Sequence, residues 1–210
     1  MEAPHQRYLA RGAAKSLWES SDPEVLICGP VGTGKTHAGL EKVNACCSHY
    51  PGCRVALLRQ TRKSLAQTAM VTLEDHVMPA GHPAKSGRVG SPIQRASRSS
   101  YQYPNGSEIE LGGLDYPDKF MSGEYDIIYI VEATDCRESD VIQLTTRLRN
   151  GVLPFQQLMM DCNPRGPGHW LKKRCDRGQT RMLKSWLKDN PKFHDGKTWT
   201  PAGAAYLKTL

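Results

Sequence analysis

Nothing in this 210-residue sequence stays apolar for long; the most continuous stretch is Ile127-Ile128-Tyr129-Ile130-Val131. A helix crossing a bilayer needs about 20 such residues, so a membrane-spanning helix is excluded. The opening MEAPHQRYLARGAAK has no apolar core segment, and no secretory leader is expected. The seven cysteines contain no C-x-x-C pair and their count is odd. Neither a disulfide framework nor a finger-type zinc site is therefore expected, even though His49 lies near Cys53. Reduced thiols in a reducing cytosol are the expected reading. Repeats and low-complexity tracts are also lacking. Disorder does not fit a chain that is 39% hydrophobic and 23% charged. The length suits one domain over residues 1–210.

What is present is positive charge and alternation. Lys plus Arg (28) exceed Asp plus Glu (21), giving +7, which suits an anionic partner such as nucleic acid or nucleotide without requiring one. Short apolar runs at 24–28, 54–58, 127–131 and 155–161 read as buried strands, with a fifth at 180–185. Between them, helical patterns occupy 11–20, 35–48, 63–77, 138–149 and 169–174. Residues 101–111 carry a hairpin signal around Asn105-Gly106, since that pair adopts positive φ cheaply. Residues 79–100 are rich in Gly, Pro and Ser, and they hold Lys85, Arg88, Arg95 and Arg98 with no acid; a long mobile basic loop is expected. Strands alternating with helices predict an α/β fold with a mainly parallel central sheet flanked by helices.

The strongest chemical signal is Gly29-Pro30-Val31-Gly32-Thr33-Gly34-Lys35-Thr36, a full match to G-x-x-x-x-G-K-[ST] between an expected strand and an expected helix. Its three glycines let the backbone curl so that successive N–H groups converge on phosphate oxygens. The following helix adds its positive end. Lys35 is expected to reach the β- and γ-phosphates, and the Thr36 hydroxyl to ligate Mg²⁺.

Hydrolysis also needs a group that activates water. Glu132 follows the most apolar strand, at the edge where open α/β sheets bind ligands. The usual pattern in such enzymes is four apolar residues, then Asp, then Glu, but here Val131 holds the Asp position. Asp126 cannot replace it, because five strand residues separate the two ends by roughly 17 Å at about 3.3 Å each. Asp161, ending the next expected strand, is the candidate to help hold Mg²⁺. Glu132 is preferred as the base; the alternative makes Glu132 the metal-side acid, with Asp135 nearer the water.

Four stretches together resemble the ATPase portion of bacteriophage large terminase subunits, the motors that package DNA into capsids. They are Arg11-Gly12-Ala13-Ala14, GPVGTGKT, YPNGSEIELGGLDYPDKFMSGEYDIIYIVEAT and LTTRLRNGVLPFQQLMMDCNPRGPGHWLKKR. The similarity covers about residues 4 to 210. GPVGTGKT alone is generic; the Glu-Ala-Thr stretch followed by Asn163-Pro164 and Gly168-His169-Trp170 is more specific. The resemblance implies a P-loop NTPase fold of the class with an added strand between the phosphate loop and the catalytic glutamate. It implies Glu132 as catalytic base, and Cys162-Asn163 as the motif that senses the γ-phosphate and couples hydrolysis to movement. Members often carry an arginine within the phosphate loop, where Val31 and Thr33 occur here. Others supply one in trans from about ten residues before the glutamate, where Met121-Ser122-Gly123 occur here. Arg147, Arg149, Arg59 and Lys119 are the remaining candidates. Gln6 is a candidate for reading adenine through its amide, with a free surface glutamine as the alternative.

These readings imply an ATPase using ATP and Mg²⁺ to drive double-stranded DNA into a procapsid. The implied partners are portal and small terminase proteins, around a homo-oligomeric ring that is a monomer in dilute solution. The implied setting is the host cytoplasm at the portal vertex. A nuclease domain, which full-length members add, is not expected within these residues. The alternatives are a helicase-like P-loop ATPase on nucleic acid and a non-hydrolysing nucleotide-binding assembly module. The basic residues of 85–98, and Lys172, Lys173, Arg174, Arg177 and Arg181, are candidate DNA contacts or plain solvated surface. Tyr101, Tyr103 and Trp170 are expected to pack.

Overall fold

The computed structural model describes residues 8–86 and 94–209, so Gln6 and Arg88 lie outside the described residues. Among the described residues, seven strands are built from the expected apolar runs and hairpin: β1 (Glu24–Cys28), β2 (Arg54–Arg59), β3 (Ser100–Gln102), β4 (Glu108–Gly113), β5 (Ile127–Ile130), β6 (Gln157–Cys162) and β7 (Arg181–Lys184). They form one sheet in the order β3-β4-β2-β5-β6-β1-β7. Every pairing is parallel except that of β3 with β4. The strand inserted between β1 and β5 is β6, so the phosphate-loop strand and the Glu132 strand are separated by one strand, as the resemblance implied. Central strands buried on both faces need to be apolar throughout, and β5 is buried at all four of its positions.

The helices are α1 (Gly12–Glu19), α2 (Lys35–His49), α3 (Arg62–Gln67), α4 (Ala69–Thr72), α5 (Glu138–Thr145), α6 (Trp170–Asp176) and α7 (Pro201–Leu207). Two apolar layers result. One packs α1, α2 and α3 on the face carrying Ile27, Leu57 and Tyr129. The other packs α5 and α6 on the face carrying Leu26, Ile130 and Met160. Buried Asp126 closes the far edge, accepting from the backbone of Arg54 (3.0 Å), Val152 (2.9 Å) and Leu153 (3.1 Å). It is a structural carboxylate at the end of the sheet away from the phosphate loop.

Two expected helices end early. The pattern at 63–77 is broken at Thr68, whose φ of −129° and ψ of −81° interrupt the turn before α4. Its hydroxyl bonds back to the Ser64 carbonyl (2.8 Å) and receives Arg59 (2.7 Å), a competition with the helix ladder that such residues favour. After α4 the chain widens into a π-helical turn, Leu73–Val77. The helix expected over 138–149 stops at Thr145, where Thr145 and Thr146 hydroxyls bond back to Ile142 and Gln143 carbonyls. Arg147 and Arg149 therefore lie beyond the helix rather than on it.

The described parts of the basic segment 79–100 turn their cations inward. Lys85 donates to the Glu74 carbonyl (2.7 Å), and Arg95 pairs with the Glu74 carboxylate (2.5 Å). Arg98 is buried over the Tyr101 ring. Arg98 is thereby closed to solvent, while Lys85 and Arg95 stay partly exposed with their charges already engaged. Tyr101 and Tyr103 are buried, donating to Glu74 (2.6 Å) and Asn44 (2.8 Å). Trp170 packs as expected, with its ring N–H on the Cys136 carbonyl (3.1 Å).

Candidate nucleotide-binding site

The phosphate loop leaves β1 at Gly29 and enters α2 at Lys35. Gly32 (φ 86°) and Gly34 (φ 83°) occupy the left-handed region that glycine tolerates without steric cost. Gly29 is needed for a different reason: a Cβ there would lie 2.2 Å from the Ser185 carbonyl oxygen. Lys35 is largely buried, and its ammonium donates to the Pro30 carbonyl (2.8 Å) and the Asn163 side-chain oxygen (3.1 Å). Burial lowers its pKa, opposed by the neighbouring Asp161. The cation is thus held inside its own loop, in contact with the residue at the end of the next strand.

Asp161 is the hub of the carboxylate side. Its Oδ2 accepts from Thr36 (2.9 Å) and from the fully buried Tyr129 hydroxyl (2.5 Å), while its Oδ1 accepts the Glu132 backbone N–H (2.9 Å). Burial raises the Asp161 pKa, and these hydrogen bonds oppose the rise. The register explains its position: β5 ends at Ile130 opposite Met160, while β6 continues through Asp161 to Cys162. Val131 instead turns into the apolar layer. Hard oxygen donors from Thr36 and Asp161 within one hydrogen bond of each other suit Mg²⁺.

Glu132 adopts φ 53° and ψ 52°, the one left-handed non-glycine among the described residues. Such strain clusters at functional sites. Its carboxylate is ion-paired with Arg59, from the end of β2. Arg59 is anchored further by the Ser64 carbonyl (3.0 Å) and Thr68 hydroxyl. The structure thus joins Arg59, one of four candidate cations, directly to Glu132. Lys119 pairs instead with Glu110 (3.8 Å), and Arg149 with Glu124 (3.1 Å). Arg147 gives its carbonyl to the Tyr125 N–H (2.8 Å), ahead of β5, at the edge opposite the phosphate loop. Asp135 is half-exposed and faces Arg165 (3.4 Å).

Several contributors had no sequence signal. Asn190 donates to the Gly32 carbonyl (2.7 Å), and the stacked rings of Phe193 and Tyr206 lie against Gly32. These residues follow β7 in a region of short turns and α7, where periodicity is uninformative. Among the described residues there is no cluster of three or more His, Cys, Asp or Glu arranged to hold a metal. All seven cysteines are free thiols.

The model of the phage terminase large subunit family matches residues 26–199. The large terminase of a thermophilic bacteriophage superimposes with a TM-score of 0.71 at 17% identity, covering 97% of this chain and 51% of that one. The same protein in complex with ADP gives 0.70 at 18% identity, over 96% of this chain and 50% of that one. The ATPase domain of the Thermus phage P74-26 large terminase, as an arginine-to-alanine mutant, gives 0.62 at 15% identity, covering 87% and 83%. The chain spans about half the length of the thermophilic phage terminase. No curated protein matches the chain.

Proposed function

The chain belongs to the phage terminase large subunit family, and from that membership we propose that it hydrolyses ATP with Mg²⁺ to drive double-stranded DNA into a procapsid. The observation that carries this reading is the convergence at one edge of the sheet of two hydrogen-bonded groups, Lys35 with Asn163 and Thr36 with Asp161 and the Glu132 backbone, adjacent through the Lys35–Thr36 peptide. The loop N–H groups and Lys35 bind the phosphates of ATP, Lys35 leaving the Pro30 carbonyl as it does so. Thr36 and Asp161, with Glu132 nearby, are the residues that would hold Mg²⁺, and the ion would supply neutralisation of phosphate charge.

Glu132 orients the attacking water and takes its proton, which requires the ion pair with Arg59 to open. The paired form is the resting state, and Arg59 freed from Glu132 remains tethered to α3 through Ser64. Asn163, bonded to Lys35 before nucleotide arrives, senses the γ-phosphate by exchanging partners. The motor acts as a homo-oligomeric ring on the procapsid portal in the host cytoplasm, with portal and small terminase proteins as its partners.

Phosphate release by Glu132→Gln tests the reading. The amide keeps the shape but loses the base, so turnover should fall by roughly 10²–10⁴. Nucleotide binding should persist in calorimetry. Survival of turnover in this variant, with its loss in Asp135→Asn, would transfer the base to Asp135.

A further inference from the structure

Cys28 and Cys162 end β1 and β6 as register partners. Adjacent strands run about 4.8 Å apart, and a disulfide bridges Cα separations of about 4.4–6.8 Å. Both side chains lie on the α5–α6 face. They line one cavity of about 250 Å³, together with Leu26, Pro164, Leu171 and Met182. Cys28 is only half-buried, which gives a small reagent access from that cavity. Each thiol also immediately precedes a residue of the nucleotide site: Gly29 follows Cys28, and Asn163 follows Cys162.

We propose that Cys28 and Cys162 form a modification site that peroxide oxidises to a disulfide, clamping the phosphate loop to the Asn163 loop. The Cys28 thiolate attacks one peroxide oxygen; the S–O bond forms as the O–O bond breaks, and the departing hydroxide leaves as water. The Cys162 sulfur then attacks the resulting sulfenic acid. The S–S bond forms as the S–O bond breaks, and the second hydroxide departs as water with the Cys162 proton. Two electrons from the two thiols reduce one peroxide to two waters.

Cys28 is suited to the first step. It opens onto the cavity, whereas Cys162 is buried. The competing pair, Cys47 and Cys53, is sealed in the opposite apolar layer, with the Cys47 thiol pushed well above its usual value. The functional consequence rests on the proposed ATPase reading: Lys35 and Asn163 must part when phosphate arrives, and the bridge fixes the residues immediately before each loop.

The test treats the full chain with hydrogen peroxide, blocks remaining thiols, and maps peptides without reduction while turnover is followed. The expected result is a Cys28–Cys162 linked peptide and a fall in turnover on the order of tenfold or more, since small misplacements of catalytic groups are costly. Dithiothreitol should reverse both changes. The peroxide-dependent fall should vanish in Cys28→Ser and in Cys162→Ser. A Cys47–Cys53 bridge or a sulfinic acid at Cys28, with no 28–162 peptide, overturns the proposal. So does a linked protein with full turnover. If the reduced chain shows no turnover at all, the ATPase reading fails and the peptide map alone decides the bridge.

Discussion

At the scale of single residues, the site is organised around a displaced carboxylate. Val131 occupies the position where the common pattern has Asp, yet it faces the apolar layer, while Asp161 reaches Thr36 from the neighbouring strand. The fully buried Tyr129 hydroxyl holds Asp161 from behind, and Gly39 leaves it room, since a Cβ there would fall 2.5 Å from that oxygen. Tyr129→Phe keeps the ring and removes the donor. Loss of such a supporting hydrogen bond typically weakens metal affinity or activity by roughly 10–100-fold. The Mg²⁺ concentration giving half-maximal turnover should therefore rise; an unchanged Mg²⁺ titration would detach Asp161 from the metal. Lys35→Ala should abolish nucleotide binding in calorimetry, because the loop loses its buried cation. Wild-type affinity in that variant would remove the phosphate-loop assignment.

At the scale of elements, what the sequence made legible was whatever depends on local pattern. The phosphate loop, β1, β2 and β5 follow from apolar runs and glycine spacing. The link from Asp161 to Thr36 was visible only as a candidate, because register across β5 and β6 is a tertiary property. The Arg59–Glu132 pair and the seat of Asn190 on Gly32 left no local trace. Lys42 shows the same limit. Midway along α2 it reads as surface charge, yet it is buried, donating to the carbonyls of Leu17 (2.9 Å) and Ser20 (2.5 Å) and to Gln157 (2.7 Å). It thereby joins α1, α2 and β6, at a desolvation cost that lowers its pKa to about 8. Lys42→Met would fill similar space while leaving the Gln157 side-chain oxygen without a donor and the Leu17 and Ser20 carbonyls with one partner each, so stability should drop by about 1–3 kcal/mol. Chemical denaturation measures this directly, and an unchanged midpoint would show that solvent replaces the ammonium.

At the scale of the whole molecule, the distribution of arginines bears on whether one chain completes the site. Arg59 is engaged with Glu132 and α3. Arg147 and Arg149 lie near the start of β5, about 20 Å from its Glu132 end along six residues at about 3.3 Å each. They can serve only a neighbouring copy whose nucleotide edge meets that opposite edge in the proposed ring. Phosphoryl transfer gains on the order of 10³–10⁵ from an arginine supplied to the transition state. A dilute chain should therefore be a weak ATPase whose specific activity climbs with its own concentration. Arg147→Ala or Arg149→Ala should lower the concentrated rate without weakening ATP binding, and should leave the dilute rate almost unchanged. The measurement is specific activity across a wide dilution series. A flat profile at a brisk rate would mean that the site is complete within one chain, with the Arg59 guanidinium, freed from Glu132, as the cation to test next.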